Sequence, residues 1–132
     1  MFVIERLAAS AAIFVAAHFA MGFINSSAGG PGGSVLFPFA TDAPSRWLFG
    51  SLDGMLGLIV PVMIGLAGVA VLAFFLAFFA TVGLWVPADL WRSLVLVGTV
   101  CSIALLVLHP SVYAALPLVL NAGLAWVAWT SA

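Results

Sequence analysis

The sequence predicts an all-α integral membrane protein, a four-helix bundle with one long interfacial loop between helices 1 and 2. Three observations carry that fold class. The stretch from Leu56 to Val86, LGLIVPVMIGLAGVAVLAFFLAFFATVGLWV, holds no charge, and Thr81 is its only hydroxyl. A helix rises about 1.5 Å per residue, so about 20 apolar residues cross a bilayer core. Inside lipid, the backbone of such a run stays satisfied only if it is helical. The composition agrees, since 66% of the 132 residues are hydrophobic and 5% are charged, with a mean hydropathy of +1.35. In a soluble domain about a quarter of residues are charged. Finally, the apolar runs are divided by one long and two tight connections, each carrying turn chemistry.

The same composition excludes several classes of function. Lysine is absent; the cations are Arg6, Arg46 and Arg92, and the acids are Glu5, Asp42, Asp53 and Asp89. A net charge of −1 with no basic cluster argues against a nucleic-acid partner and against a polybasic lipid-binding surface. Cys101 is the single cysteine and lies in an apolar run, so it forms no internal disulfide and reads as packing. Metal clusters, Ser-His-Asp arrangements and conduction filters are not visible.

Taken in order, the chain reads as a single transmembrane domain over residues 1–132. The first helix is expected over 4–24. Ser26-Ser27-Ala28 offers a small-x-small cleavage site, but Glu5 beside Arg6 leaves the leading region with little positive charge. The segment is therefore read as a membrane helix and not as a signal peptide. Ala8, Ala12, Ala16 and Ala20 recur every fourth position, a spacing that lets helix backbones approach closely. At about 100° per residue, His18 falls on roughly the opposite side from this stripe.

Residues 25–50 form the long connection. NSSAGGPGGS is linker chemistry, whereas VLFPFATDAPSRWLFG is apolar and aromatic and is expected to lie in the membrane interface or over the bundle mouth. The second helix is expected over 52–82, with Ser51 as N-cap, Asp53 in the first turn, Pro61 as a kink, and Gly54, Gly57, Gly65 and Gly68 as a close-packing side. The third is expected over 88–108, entered through Pro87 with Asp89 complementing the helix dipole. The turn His109-Pro110-Ser111 leads to the fourth, over 112–129. Arg6 and Arg92 fall on one side of the membrane and Arg46 on the other, which favours cytoplasmic termini. Trp85, Trp91, Trp126 and Trp129 form an aromatic belt on the side of the termini.

Polar groups at membrane depth are costly, so each is a functional candidate. His18 sits well inside the first helix, where a neutral imidazole can ligate a haem iron or a chlorophyll magnesium. Gly22, one turn on, leaves room for a flat ring, and Phe14, one turn earlier, crowds it. The competing reading, and the favoured one, is a histidine hydrogen-bonded to a neighbouring helix. Asn121 shares a face with Pro117, and Thr99 and Ser102 share a face of the third helix. Asn121 is therefore expected to bond across to Ser102 or Thr99, either as structural glue worth on the order of 0.6 kcal/mol or as the lining of a small polar pocket.

His18 with Met21-Gly22-Phe23, the run Trp91-Arg92-Ser93 opening the third helix, Ser102 within it and Asn121 in the fourth are features in which the chain resembles the DoxX-like group of small four-helix bacterial membrane proteins. The resemblance extends over most of the chain through short motifs. It implies a four-helix bundle in the bacterial plasma membrane and, for some members, association with respiratory or quinone-linked complexes. The long aromatic first loop and the near lack of charge depart from that pattern, and no catalytic residue carries over.

These readings lead to one expectation and two alternatives. The expectation is a non-enzymatic accessory or scaffold subunit of a larger bacterial membrane complex, in contact with lipids and with other membrane subunits or copies of itself. The first alternative is a bundle that holds a quinone, lipid or pigment (haem or chlorophyll type) near His18 and Asn121. The second is a small transporter working as an oligomer, against which the scarcity of intramembrane charge counts.

Overall fold

The computed structural model describes residues 3–27, 56–108 and 112–131. Over these the chain forms α1 (Val3–Ser27), α2 (Leu56–Val82), α3 (Trp91–Leu108) and α4 (Ala115–Thr130), with short 3-10 turns at Ala88–Leu90 and Val112–Ala114 leading into α3 and α4. No strand occurs among the described residues. The result is the expected all-α bundle, with three helices long and apolar enough to cross a membrane. α4 has 16 residues, or about 24 Å, and the 3-10 turn before it adds about 6 Å, so together they approach the ~30 Å of a bilayer core.

α1 runs to Ser27, beyond the expected end at residue 24, so the long connection starts later than residue 25. Asn25, Ser26 and Ser27 are tolerated in a last turn, and the strong helix breakers Gly29, Gly30 and Pro31 come only after them. The remainder of the expected interfacial loop, the Ser51 cap, Asp53 and the turn 109–111 lie outside the described residues.

Neighbouring helices are antiparallel. Ser10, near the start of α1, meets Thr81 at the end of α2, and Arg92 at the start of α3 meets Ala128 at the end of α4. α2 packs along both α1 and α3, α3 packs along α4, and α1 meets α4 over a much smaller area. Two apolar clusters form the core. One joins Ile13, Ala16 and Ala20 to Ala70, Phe74, Val95 and Leu124; the other joins Phe23 to Met63, Leu105 and Ala114.

The alanine stripe divides. Ala16 and Ala20 are buried between helices, as the spacing predicts, while Ala8 is exposed and Ala12 half-buried. The expected glycine face of α2 does not form over its described part. A Cβ at Gly65 or Gly68 would meet nothing within 4 Å, and the buried small residues of α2 are Ala67, Ala70, Ala77 and Ala80. Alanine is small enough for this contact and lacks glycine's conformational freedom in the unfolded chain. The glycine that does permit a close approach is Gly98 of α3, which faces the ring of Phe74.

α2 ends in a Schellman arrangement. Gly83 has φ +75°, the Leu84 amide donates to the Phe79 carbonyl at 2.9 Å, and the Gly83 amide donates to the Ala80 carbonyl at 3.3 Å. The chain then turns within three residues. The Val86 amide donates to the Leu84 carbonyl at 2.6 Å, which places Trp85 at φ 60° in the middle of the turn. A bulky residue in that conformation carries strain on the order of 1–3 kcal/mol. The exposed Trp85 indole lies 5.3 Å from the Phe79 ring, at the same end of the bundle as the exposed Trp126 and Trp129. Amphipathic rings at that level match the expected aromatic belt.

Candidate functional site

The polar residues predicted to meet between α3 and α4 do so. Asn121 is fully buried, and its Nδ2 donates to Ser102 Oγ at 3.1 Å and to the Pro117 carbonyl at 2.8 Å. Pro117 is the third residue of α4, in a first turn where the helix proper does not need its missing amide. Its carbonyl is one helical turn before Asn121, so a single amide group serves both its own helix and the neighbouring one. Thr99 lies on the same buried side of α3 as Ser102, but Asn121 does not bond to it. Thr99 Oγ1 and Asn121 Oδ1 are buried without a hydrogen-bond partner.

The two orphaned atoms have a measurable consequence. An unpaired buried hydroxyl costs free energy that a methyl group does not. Thr99→Val is therefore expected to raise stability by up to about 1 kcal/mol, whereas Ser102→Ala removes an interhelical bond and lowers it by about 0.6 kcal/mol. Reversible unfolding of both variants in detergent micelles measures the difference in sign.

His18 is elsewhere. It is exposed on the outer side of α1, while Ala16, Ala17, Phe19 and Ala20 around it are buried. Its ring lies 5.8 Å from that of Phe19. Phe14, one turn earlier, is also exposed and packs edge-on to Phe75 at 6.3 Å, while Gly22, one turn later, is buried. The structure thus brings Asn121 and Ser102 together, buries Thr99 near Ser102 on α3, and sets His18 apart on the outward surface.

Two further polar contacts were not singled out in the sequence. Ser10 Oγ and Thr81 Oγ1 lie 2.7 Å apart, both buried, and each also contacts a backbone carbonyl of its own helix, Arg6 and Phe78 respectively, at 2.8 Å. Two hydroxyl protons serve three contacts, so one proton is shared between two acceptors. The available signal is the depth of the two residues, since Ser10 is near the start of one helix and Thr81 near the end of its antiparallel neighbour. The second contact runs from Arg92 Nε to the Ala128 carbonyl at 2.7 Å. That carbonyl belongs to the last turn of α4, where no intrahelical donor follows and a cation complements the helix dipole. Arg92 therefore ties the start of α3 to the end of α4.

Among the described residues no group of three or more His, Cys, Asp or Glu side chains is placed to hold a metal ion. Cys101 is half-buried against the first apolar cluster. Comparison with protein-family models, with curated proteins and with solved structures finds no match to this chain.

Proposed function

We propose that this protein is a non-enzymatic integral membrane subunit that packs against other membrane polypeptides through the outer face of α1, as an accessory or scaffold component of a larger assembly. The single observation that supports this reading most is the outward position of His18, on a helix long and apolar enough to span a membrane. Histidines at membrane depth bond across to neighbouring helices, and one on the outward surface is placed to do so with another polypeptide. Its flank, Phe14 and Val15, is exposed and apolar, and Phe14 packs edge-on to Phe75 of α2. The interior polar residues already serve the bundle: Asn121 and Ser102 hold α4 to α3, and Ser10 and Thr81 hold α1 to α2.

The resemblance to the DoxX-like group points the same way and adds a bacterial plasma membrane and respiratory or quinone-linked partners to the proposal. Arg6 and Arg92, at the end of the bundle that carries both termini, favour cytoplasmic termini. Purification from the native membrane in a gentle detergent, with an absorbance spectrum and mass spectrometry of the particle, tests the reading. The expected result is a particle larger than one chain that loses its partners in His18→Leu while the bundle stays folded. A chromophore that disappears in the same variant would replace this reading with a ligand site at His18.

A further inference from the structure

The small contact area between α1 and α4 leaves a groove of about 1040 Å³ between the first third of α1 and the chain from Val119 to Ser131 on the α4 side. Ala8 and Ala12 lie on one wall and Val119 and Gly123 on the other, with Trp91 of α3 bordering it. The outer half of the alanine stripe thus borders this space, Ala8 exposed and Ala12 half-buried against the first apolar cluster. At the end of the bundle that carries the chain termini the groove is flanked by Glu5, Arg6 and Ser131. From Val119 to Ser131 the α4-side wall runs twelve residue steps, or about 18 Å, and the α1 wall from Glu5 to Ala12 runs seven, or about 10 Å. Beyond its inner end Phe23 of α1 and Ala114, just before α4, belong to one packed cluster that Leu118 joins.

We propose that this groove holds one acyl chain of a zwitterionic phospholipid, with the lipid phosphate at Arg6 and its ammonium group at Glu5. Three features select that occupant. The walls, about 10 and 18 Å long, bracket the ~15 Å of one leaflet, half of a ~30 Å core, whereas a transmembrane helix would need a groove across the whole bilayer. The lining is apolar along its length and charged only at the level of the exposed Trp126 and Trp129, where headgroups lie. The two charges that line the mouth are of opposite sign, which matches a headgroup carrying both signs better than one with a net negative charge. The volume is at the upper end of the ~300–1,000 Å³ typical of small-molecule sites. The site is separate from His18 and from Asn121, and it does not depend on the subunit reading.

Gly123 provides a clean test, because a Cβ there meets nothing within 4 Å and a side chain projects into open space. Purified protein is equilibrated with micelles containing equal amounts of phosphatidylethanolamine and phosphatidylglycerol, and retained lipid is read by native mass spectrometry. The parent chain is expected to retain one phospholipid, enriched in phosphatidylethanolamine. Gly123→Leu and, from the opposite wall, Ala8→Leu are expected to lose it while keeping the parent circular dichroism. Arg6→Gln is expected to lower retention by about tenfold, the value of a charge-assisted contact of ordinary strength. Equal retention in the parent and in both leucine variants would overturn the proposal. So would an adduct that prefers phosphatidylglycerol, or a second polypeptide protecting the groove in place of lipid.

Discussion

Gly98→Val is expected to destabilise the bundle by about 3 kcal/mol, read as a lower unfolding midpoint in detergent with the slope unchanged. A Cβ at position 98 would lie 2.9–3.0 Å from three atoms of the Phe74 ring, closer than real carbon contacts come. Phe74 is fully buried between α1, α2 and α3, so the ring has no free space to move into. Valine adds two more methyl groups to the same gap. Glycine inside a helix ordinarily costs about 0.5–1 kcal/mol relative to alanine. Gly65→Ala, where the added carbon meets nothing, is accordingly expected to stabilise by about that amount. The opposite signs at two glycines of the same bundle separate the steric effect from helix propensity.

The second large effect lies on the other side of the same contact. Phe74→Ala is expected to cost about 3–5 kcal/mol, because it removes a fully buried ring that fills the space beside Gly98. Lipid tails are as apolar as the core, so the loss in a membrane comes mainly from the unfilled cavity and the missing packing contacts. The two substitutions are expected to be strongly non-additive. With Phe74 reduced to alanine, the side chain of Gly98→Val occupies the vacated space, and the double variant is more stable than the sum of the singles by at least about 1 kcal/mol. Equilibrium unfolding of the four proteins in one detergent gives the coupling directly.

The Gly98–Phe74 contact shows what sequence reasoning could not reach. A glycine in an apolar helix has several uses, and the requirement for this one comes from a ring on a different helix. Gly65 and Gly68 carry the same sequence signal and face open space, while alanines carry the packing of α2. Asn121 and Ser102 were legible because a strongly polar pair stands out in apolar runs, and helical spacing places each on a definite face. The spacing also separated His18 from the alanine stripe, and the structure exposes the one while burying Ala16 and Ala20. Ser10 and Thr81 were not paired in the sequence, because their meeting depends on the register of α1 against α2. Short polar residues at opposite helix ends do not specify that register. The groove depends on the angle at which α1 leaves α4, a property of the assembled bundle that no local pattern encodes.

In the proposed assembly the outer face of α1 is covered by another polypeptide in the membrane. A photoreactive amino acid at position 18, activated in intact native membranes, tests it most directly. Position 100 serves as the control, because Val100 is exposed on α3 and carries no polar neighbour in its helical turn that the bundle does not already bury. The account predicts a discrete crosslink from position 18 to a membrane polypeptide, either a different subunit or a second copy of this chain, and only lipid adducts from position 100. Lipid adducts alone from both positions would contradict it.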